Sequence, residues 1–217
     1  MPGDVGSDDA LRSIAKTCSE RPLRALVHTA GLSPSTGSWE QILETNLVAT
    51  ARLLDALDPM IGNGFAAALI ASMARLVVPA PPAALLELLE DPLADDFAER
   101  FASLLGQDEA SLGTLTYAWS KWWVARETGR RAIAWGPRGA RTMSISPGMI
   151  YTPMALVEAT HPQMRGLVEN TPMRRWGTPA DIANTVEFVL SDKVGFITGS
   201  DILVDGGVGM CMNDNRD

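Results

Sequence analysis

Four short apolar runs alternate with longer stretches of helical spacing, and that alternation limits most sharply what this chain can fold into. Residues 23–29 form one run, closing on Ala30-Gly31. Residues 66–71 form a second ending at Ser72, 141–145 a third broken by Pro147-Gly148, and 200–204 a last before Asp205-Gly206-Gly207. Short apolar runs bounded by turn formers are the pattern of buried strands. Between them, residues 38–57 place Trp39, Ile42, Leu43, Leu47, Leu53 and Leu54 mostly on one helical side. Residues 116–135 read as a long helix stopped by Gly136-Pro137, and 179–190 as a helix with Pro179 in its first turn. Strand and helix in regular alternation predict βαβ crossovers and an α/β fold on a parallel sheet. With 217 residues and 46% hydrophobic content, the chain fits a single domain spanning 1–217.

The stretch 73–115 interrupts the alternation. Leu85, Leu86, Leu88 and Leu89 form an apolar patch ended by Asp91-Pro92. Phe97, Phe101, Leu104 and Leu105 then repeat with helical spacing behind Asp96-x-x-Glu99, a capping-box pattern. The stretch reads as a helical pair inserted ahead of the 116–135 helix. An acidic, leucine-rich helical insert usually packs on its own domain, the alternatives being a subunit interface or a wall of the substrate cleft; its apolar faces exceed what one flanking helix needs to bury, which predicts that part of it lies in a homo-oligomer interface, a dimer or a tetramer.

A net charge of −8 argues against nucleic acid or an anionic membrane as the main partner. The longest basic clusters, Arg130-Arg131 and Arg174-Arg175, are too short for a phosphate-binding stripe. Cys18 and Cys211 are the only cysteines, and no Cys/His cluster has metal-ligand spacing, so a reduced, metal-free interior is expected. The acidic start lacks the basic patch and apolar run of a signal peptide, and no apolar stretch reaches the roughly 18 residues of a membrane span. A cytoplasmic location is the expectation.

Ligands of parallel α/β sheets bind at the carboxyl ends of the strands. Ala30-Gly31, Ser72 and Pro147-Gly148 all follow expected strands and so fall on one rim. Tyr117 and Lys121 lie four apart on the long helix, which puts ammonium and phenol side by side. The positive charge favours the phenolate and makes the tyrosine a usable proton donor or acceptor. The chain has only two tyrosines, and few lysines to pair them with, so a chance pairing at this spacing is rare. His161 is a lone imidazole in an expected loop and is given no catalytic role.

Taken together these residues resemble the short-chain dehydrogenase/reductase family, and nearly the whole chain takes part. Asn46, Ser72, Tyr117 and Lys121 fall in order on the family's catalytic tetrad. Asp4-Val5 is similar to the pair lining the adenine pocket, and His28-Thr29-Ala30-Gly31 stands where Asn-Asn-Ala-Gly is usual. The run from Ser146 to Pro153 resembles the nicotinamide-side loop, and the run from Thr198 to Gly207 the closing strand. Within the family the likeness is nearest to the bacterial 3α-hydroxysteroid dehydrogenase/carbonyl reductase type, which carries a similar insert associated with dimer contact. The resemblance implies a Rossmann-like doubly wound sheet with helices on both faces, NAD or NADP as coenzyme, and a small-molecule carbonyl or alcohol as substrate. It also implies roles. Ser72 polarises the carbonyl, Tyr117 transfers the proton, Lys121 supports the phenolate and holds the nicotinamide ribose, and Asn46 holds a relay water. Thr29, Ala30, Gly31, Pro147, Gly148, Ile150 and Thr152 join Asp4, Val5, Tyr117 and Lys121 in coenzyme contact.

Two departures accompany the resemblance. Family members open with a strand and a Gly-rich turn that lays the pyrophosphate on a helix N-terminus, and no such turn precedes Asp4. An N-terminally truncated fold is therefore expected, with 23–29 as an exposed edge strand, coenzyme preference unreadable, and weak coenzyme binding by this chain alone. His28-Thr29 in place of two asparagines removes amide hydrogen bonds, although Thr29 keeps a hydroxyl. Two alternatives stay open: an inactive, truncated relative acting only in subunit association, and a different reaction on the same scaffold, such as enoyl reduction.

Overall fold

The computed structural model describes residues 5–20, 22–106, 108–158, 160 and 162–214. Its centre is a four-stranded parallel sheet in the order β1 (Ala25–His28), β2 (Ala66–Ile70), β3 (Arg141–Pro147), β4 (Asp201–Val204). The registers pair Ala67 with Thr142, Leu69 with Ser144, and Ser144 with Asp201, so these side chains share one face. The helices in chain order are α1 (Asp8–Ser19), α2 (Trp39–Leu43), α3 (Ala49–Leu57), α4 (Ala83–Leu88), α5 (Phe97–Leu105), α6 (Glu109–Trp135), α7 (Pro153–Glu158), α8 (Pro162–Glu169), α9 (Pro179–Leu190) and α10 (Val208–Asp214).

Helices cover both faces, as the alternation of strands and helices predicted. On one face Ala67 and Leu69 of β2 join Leu43, Leu47, Leu54, Trp119, Trp123 and Val124 in the main core. On the other, Ala68, Met143 and Ile145 pack with Val189 of α9. A central strand buried on both faces carries no polar alternation, which is why β2 reads as Ala-Ala-Ala-Leu-Ile. Alanine is a poor strand former taken singly. Here its small side chain lets helices approach from both sides.

The expected helix at 38–57 exists but is not uniformly α. It begins with a capping box, in which Ser38 accepts from the Gln41 amide and Gln41 reaches back to the Ser38 amide. Glu44–Val48 then widens into a π turn before α3 resumes. Such turns within α-helices recur at functional sites.

Two sequence expectations need correction. The helix that carries Tyr117 and Lys121 starts at Glu109 instead of residue 116, because Asp108 accepts from both the Ser111 amide and its hydroxyl and so caps an earlier turn. Asp96 makes no side-chain cap on α5; it pairs with Arg100 at 3.6 Å, so the capping-box reading fails. The helical pair in the insert is present as α4 and α5, and most of its apolar face is covered by the chain itself, although Leu104 is 46% exposed. Leu85, Leu88, Leu89, Phe97 and Phe101 all belong to the main core, and Phe101 is 0% exposed. The rings of Phe97 and Phe101 lie 5.9 Å apart, and Trp123 Nε1 donates to the Leu89 carbonyl at 3.0 Å, binding the insert to α6. These five side chains are therefore covered without a second subunit.

Trp135 closes α6 from inside the core. It is fully buried, edge-on to Phe65 at 5.7 Å, and its Nε1 donates to Asp58 Oδ1 at 2.7 Å. Phe101→Ala is expected to lower the unfolding free energy by about 3–5 kcal/mol, because it empties a ring-sized volume that rigid neighbours cannot refill. Urea unfolding followed by far-UV circular dichroism measures it. A loss below about 1 kcal/mol together with subunit dissociation would instead place the ring at an interface.

Candidate active site

The polar groups singled out in the sequence gather at the carboxyl ends of β1, β2 and β3. Asn46 sits in the middle of the π turn and is 1% exposed. Its Oδ1 accepts from the Leu32 amide at 2.7 Å, and its Nδ2 donates to the Leu32 carbonyl at 2.9 Å and more weakly to Ser120 Oγ at 3.4 Å. The amide thus clamps the loop after β1 by both of its polar atoms. Ser120 in turn donates to the Tyr117 carbonyl at 2.8 Å, which ties the clamp to the catalytic turn of α6.

Lys121 is 6% exposed, and its Nζ donates to the Ile70 carbonyl at 2.9 Å, two residues before Ser72. Burial pulls its pKa down to about 8, because the charged form loses hydration that one carbonyl does not replace. The ammonium lies 5.9 Å from the centre of the Tyr117 ring, which is half-buried. Helical spacing therefore delivered the pair that the sequence predicted.

Ser72 follows β2 by two residues and caps a 3₁₀ turn, Met73–Leu76. Its Oγ accepts from the Ala74 amide at 3.2 Å. That bond uses a lone pair and leaves the hydroxyl its proton to donate.

Gly31 supplies a test of whether a nicotinamide coenzyme fits. A Cβ at this position would lie 3.2 Å from Lys121 Nζ and 3.3 Å from Asn46 Oδ1, so a side chain would press on the ammonium. Gly148 is constrained similarly from beneath: its Cβ would fall 2.6 Å from the Asp205 Cα, while its amide donates to the Val204 carbonyl at 3.0 Å. At both positions the room a side chain would need is taken by the chain's own Lys121, Asn46 and Asp205, so the glycines let these segments pack closely; what fits the ribose of a nicotinamide coenzyme is the buried Lys121 ammonium, which gives one N–H to the Ile70 carbonyl and has two more to donate. Ala30 is half-buried and Thr29 exposed on the same rim. Pro147 ends β3, Ile150 bridges to Gly177, and Thr152 Oγ1 accepts from the Ala155 amide at 3.2 Å.

Val5 precedes α1 and packs on the main core; Asp4 and His161 fall outside the described residues. Ahead of β1 the described residues form α1, capped by Ser7, and no Gly-rich turn. A cleft of about 370 Å³ is lined by Ile150, Thr171, Met173, Arg175, Asp205 and neighbouring residues, but it includes none of Asn46, Ser72, Tyr117 and Lys121.

One buried group was assigned no role in the sequence. His28 Nε2 lies 2.8 Å from Thr50 Oγ1, whose single proton goes to the Asn46 carbonyl at 2.9 Å. The imidazole must therefore be the donor, fixing the Nε2–H tautomer. The chain His28–Thr50–Asn46 braces the π turn from below, a tie that the spacing of His28 and Thr50 does not announce. Burial first, and the Lys121 charge second, push the His28 pKa down to about 4. The unfolded chain therefore binds a proton below pH about 6.5 that the folded chain refuses until pH about 4. Stability from this group is full above 6.5 and falls as pH drops through that window. The loss should reach roughly 2–3 kcal/mol near pH 4.5. His28→Gln keeps a donor for Thr50 and does not titrate, so urea unfolding at pH 7 and 4.5 should show a smaller drop for the variant. Equal drops would mean that His28 is not held neutral.

The comparisons with known proteins agree with this geometry. Residues 101–209 match the family model described as "Enoyl-(Acyl carrier protein) reductase". A short-chain dehydrogenase/reductase of Alternaria brassicicola is 30% identical over 94% of this chain and 75% of its own length. The 3-alpha-hydroxysteroid dehydrogenase/carbonyl reductase of Comamonas testosteroni is 30% identical over 97% of this chain and 82% of its own. Among solved structures, the 3-alpha-hydroxysteroid dehydrogenase of Pseudomonas sp. B-0831 complexed with NADH superposes with a TM-score of 0.80 at 26% identity, covering 100% of this chain and 86% of that one.

Proposed function

This chain belongs to the short-chain dehydrogenase/reductase family, and from that premise we propose that it interconverts a carbonyl and a secondary alcohol with NAD or NADP. The observation that carries the reading is the buried Lys121 ammonium, held by the Ile70 carbonyl beside the Tyr117 ring. Lys121, Gly31 and the Pro147-Gly148 backbone would hold the coenzyme, which would supply hydride transfer to or from the substrate carbon.

The chain's own side chains handle the oxygen. Ser72 Oγ–H donates to the carbonyl oxygen, a bond that strengthens as negative charge gathers there. Tyr117 gives its phenolic proton to that oxygen in reduction and takes it back in oxidation. Lys121 stabilises the phenolate left behind, and at neutral pH it is largely charged because its pKa lies near 8. Two of its three N–H groups remain for ribose hydroxyls or water once one serves Ile70. Asn46 holds the loop after β1, and with it Gly31, at the distance this arrangement needs. The substrate class favoured is a hydroxysteroid or another ketone or aldehyde, since two relatives are named for 3-alpha-hydroxysteroids.

Tyr117→Phe should lower kcat for carbonyl reduction by about 10²–10⁴-fold while coenzyme affinity by titration calorimetry stays within about two-fold. The ring and its packing survive and only the proton is lost. Wild-type turnover in that variant would remove Tyr117 from the chemistry. Lys121→Met is expected to weaken coenzyme binding and to move the profile of alcohol oxidation to higher pH. An unchanged profile with unchanged affinity would deny the lysine both roles. An enoyl thioester assayed beside the ketones tests the alternative reaction: turnover of that substrate alone would replace the carbonyl reading.

A further inference from the structure

Beneath Ser72 lies an ion pair that neither the tetrad nor the coenzyme contacts use. Arg75, in the 3₁₀ turn that Ser72 opens, reaches across the end of β3 to Asp201 at the start of β4. Its Nη2 and Nε approach Asp201 Oδ2 at 2.6 and 2.9 Å, and Nε also donates to Ser146 Oγ at 3.2 Å. The other carboxylate oxygen accepts from Ser144 Oγ at 2.6 Å and Ser146 Oγ at 2.8 Å. The two charged side chains are only 22% and 12% exposed. Two guanidinium N–H groups converge on Oδ2 and two serine hydroxyls on Oδ1, so both carboxylate oxygens are held by charge-assisted hydrogen bonds, which are stronger than neutral ones.

The network joins three parts of the active rim. The Ser72 carbonyl accepts from the Arg75 amide at 3.2 Å and the Ser72 hydroxyl from the Ala74 amide, so the turn moves as one unit with the serine. Ser146 immediately precedes Pro147-Gly148, the expected coenzyme loop. Met73 of the same turn packs with Met149 and Val208, which locks its apolar side. We propose that Arg75 and Asp201 are positioning residues that set the Ser72 hydroxyl against the Pro147-Gly148 loop, and hence the carbonyl oxygen against the coenzyme. This rests on the carbonyl reading above.

The pair can be tested with and without turnover. In the full chain, hydrogen exchange read by mass spectrometry over residues 71–78 should accelerate about ten-fold in Arg75→Met, with β1 and α6 unchanged. Arg75→Lys should restore part of the protection, since an ammonium still meets Asp201. Because Arg75→Met strands a shielded carboxylate, the double variant Arg75→Met/Asp201→Leu serves as a folded control. It should melt close to the wild type and still exchange fast over 71–78. Unchanged exchange there, or acceleration spread evenly over the sheet, overturns the proposal. For activity, the double variant should lose about ten- to a hundred-fold in kcat in the Ser72 background and nothing further in Ser72→Ala. An equal loss in both backgrounds would make the pair merely structural. A wild type that turns over no carbonyl would sink the proposed function, and the exchange result alone would then decide the positioning role.

Discussion

The close approach of α6 to β2 and β3 is the contact on which the site depends. Three of the strand residues on the face toward that helix are small, Ala67 on β2 and Thr142 and Ser144 on β3, with Leu69 the larger exception. A helix seated this low brings Lys121 Nζ within 2.9 Å of the Ile70 carbonyl at the end of β2. Larger residues on this face would lift α6 and separate Lys121 from Ser72, whatever the spacing along the helix. Packing density in the interior thus sets the geometry of the chemistry above it.

The same closeness exacts desolvation, and the site converts it into position. Lys121, His28 and Asn46 are nearly inaccessible, and each keeps a hydrogen bond to an atom of another element: Ile70 of β2, Thr50 of α3, and Leu32 after β1. Buried polar groups satisfied in this way hold a single arrangement because any other leaves an unpaired donor or acceptor. The π turn belongs to this logic. It widens the helix at Asn46, and its carbonyl accepts from Thr50, which His28 supports in turn. Arg75 and Asp201 do for the Ser72 turn what Asn46 does for the loop after β1.

Much of this was legible in the residues. The four strands lie where the apolar runs end in turn formers, and α9 spans its expected residues with Thr178 and Asp181 forming its capping box. Tyr117 and Lys121 meet because helical spacing makes them meet. Two caps differed from the reading: Asp108 caps α6 ahead of the expected start, and Asp96 leaves α5 without a side-chain cap and lies near Arg100. The insert was ambiguous for another reason. Its apolar residues count the same whether they are covered by the chain's own core or by a second subunit, and only the packing of Leu89 and Phe101 against α6 and its neighbours separates the two.

The alternation of strand and helix, the parallel sheet, the rim on which Ser72 and Gly31 sit, and the Tyr117–Lys121 pair were all determined by the sequence, because each follows from spacing along one element or from the turn that ends it. The tertiary structure alone decided the clamp of Asn46 on Leu32, the tautomer of His28 and the tie between Arg75 and Asp201. In each case the partners stand far apart in sequence, and only the stacking of strands and helices brings them within hydrogen-bonding reach, where burial makes the bond obligatory.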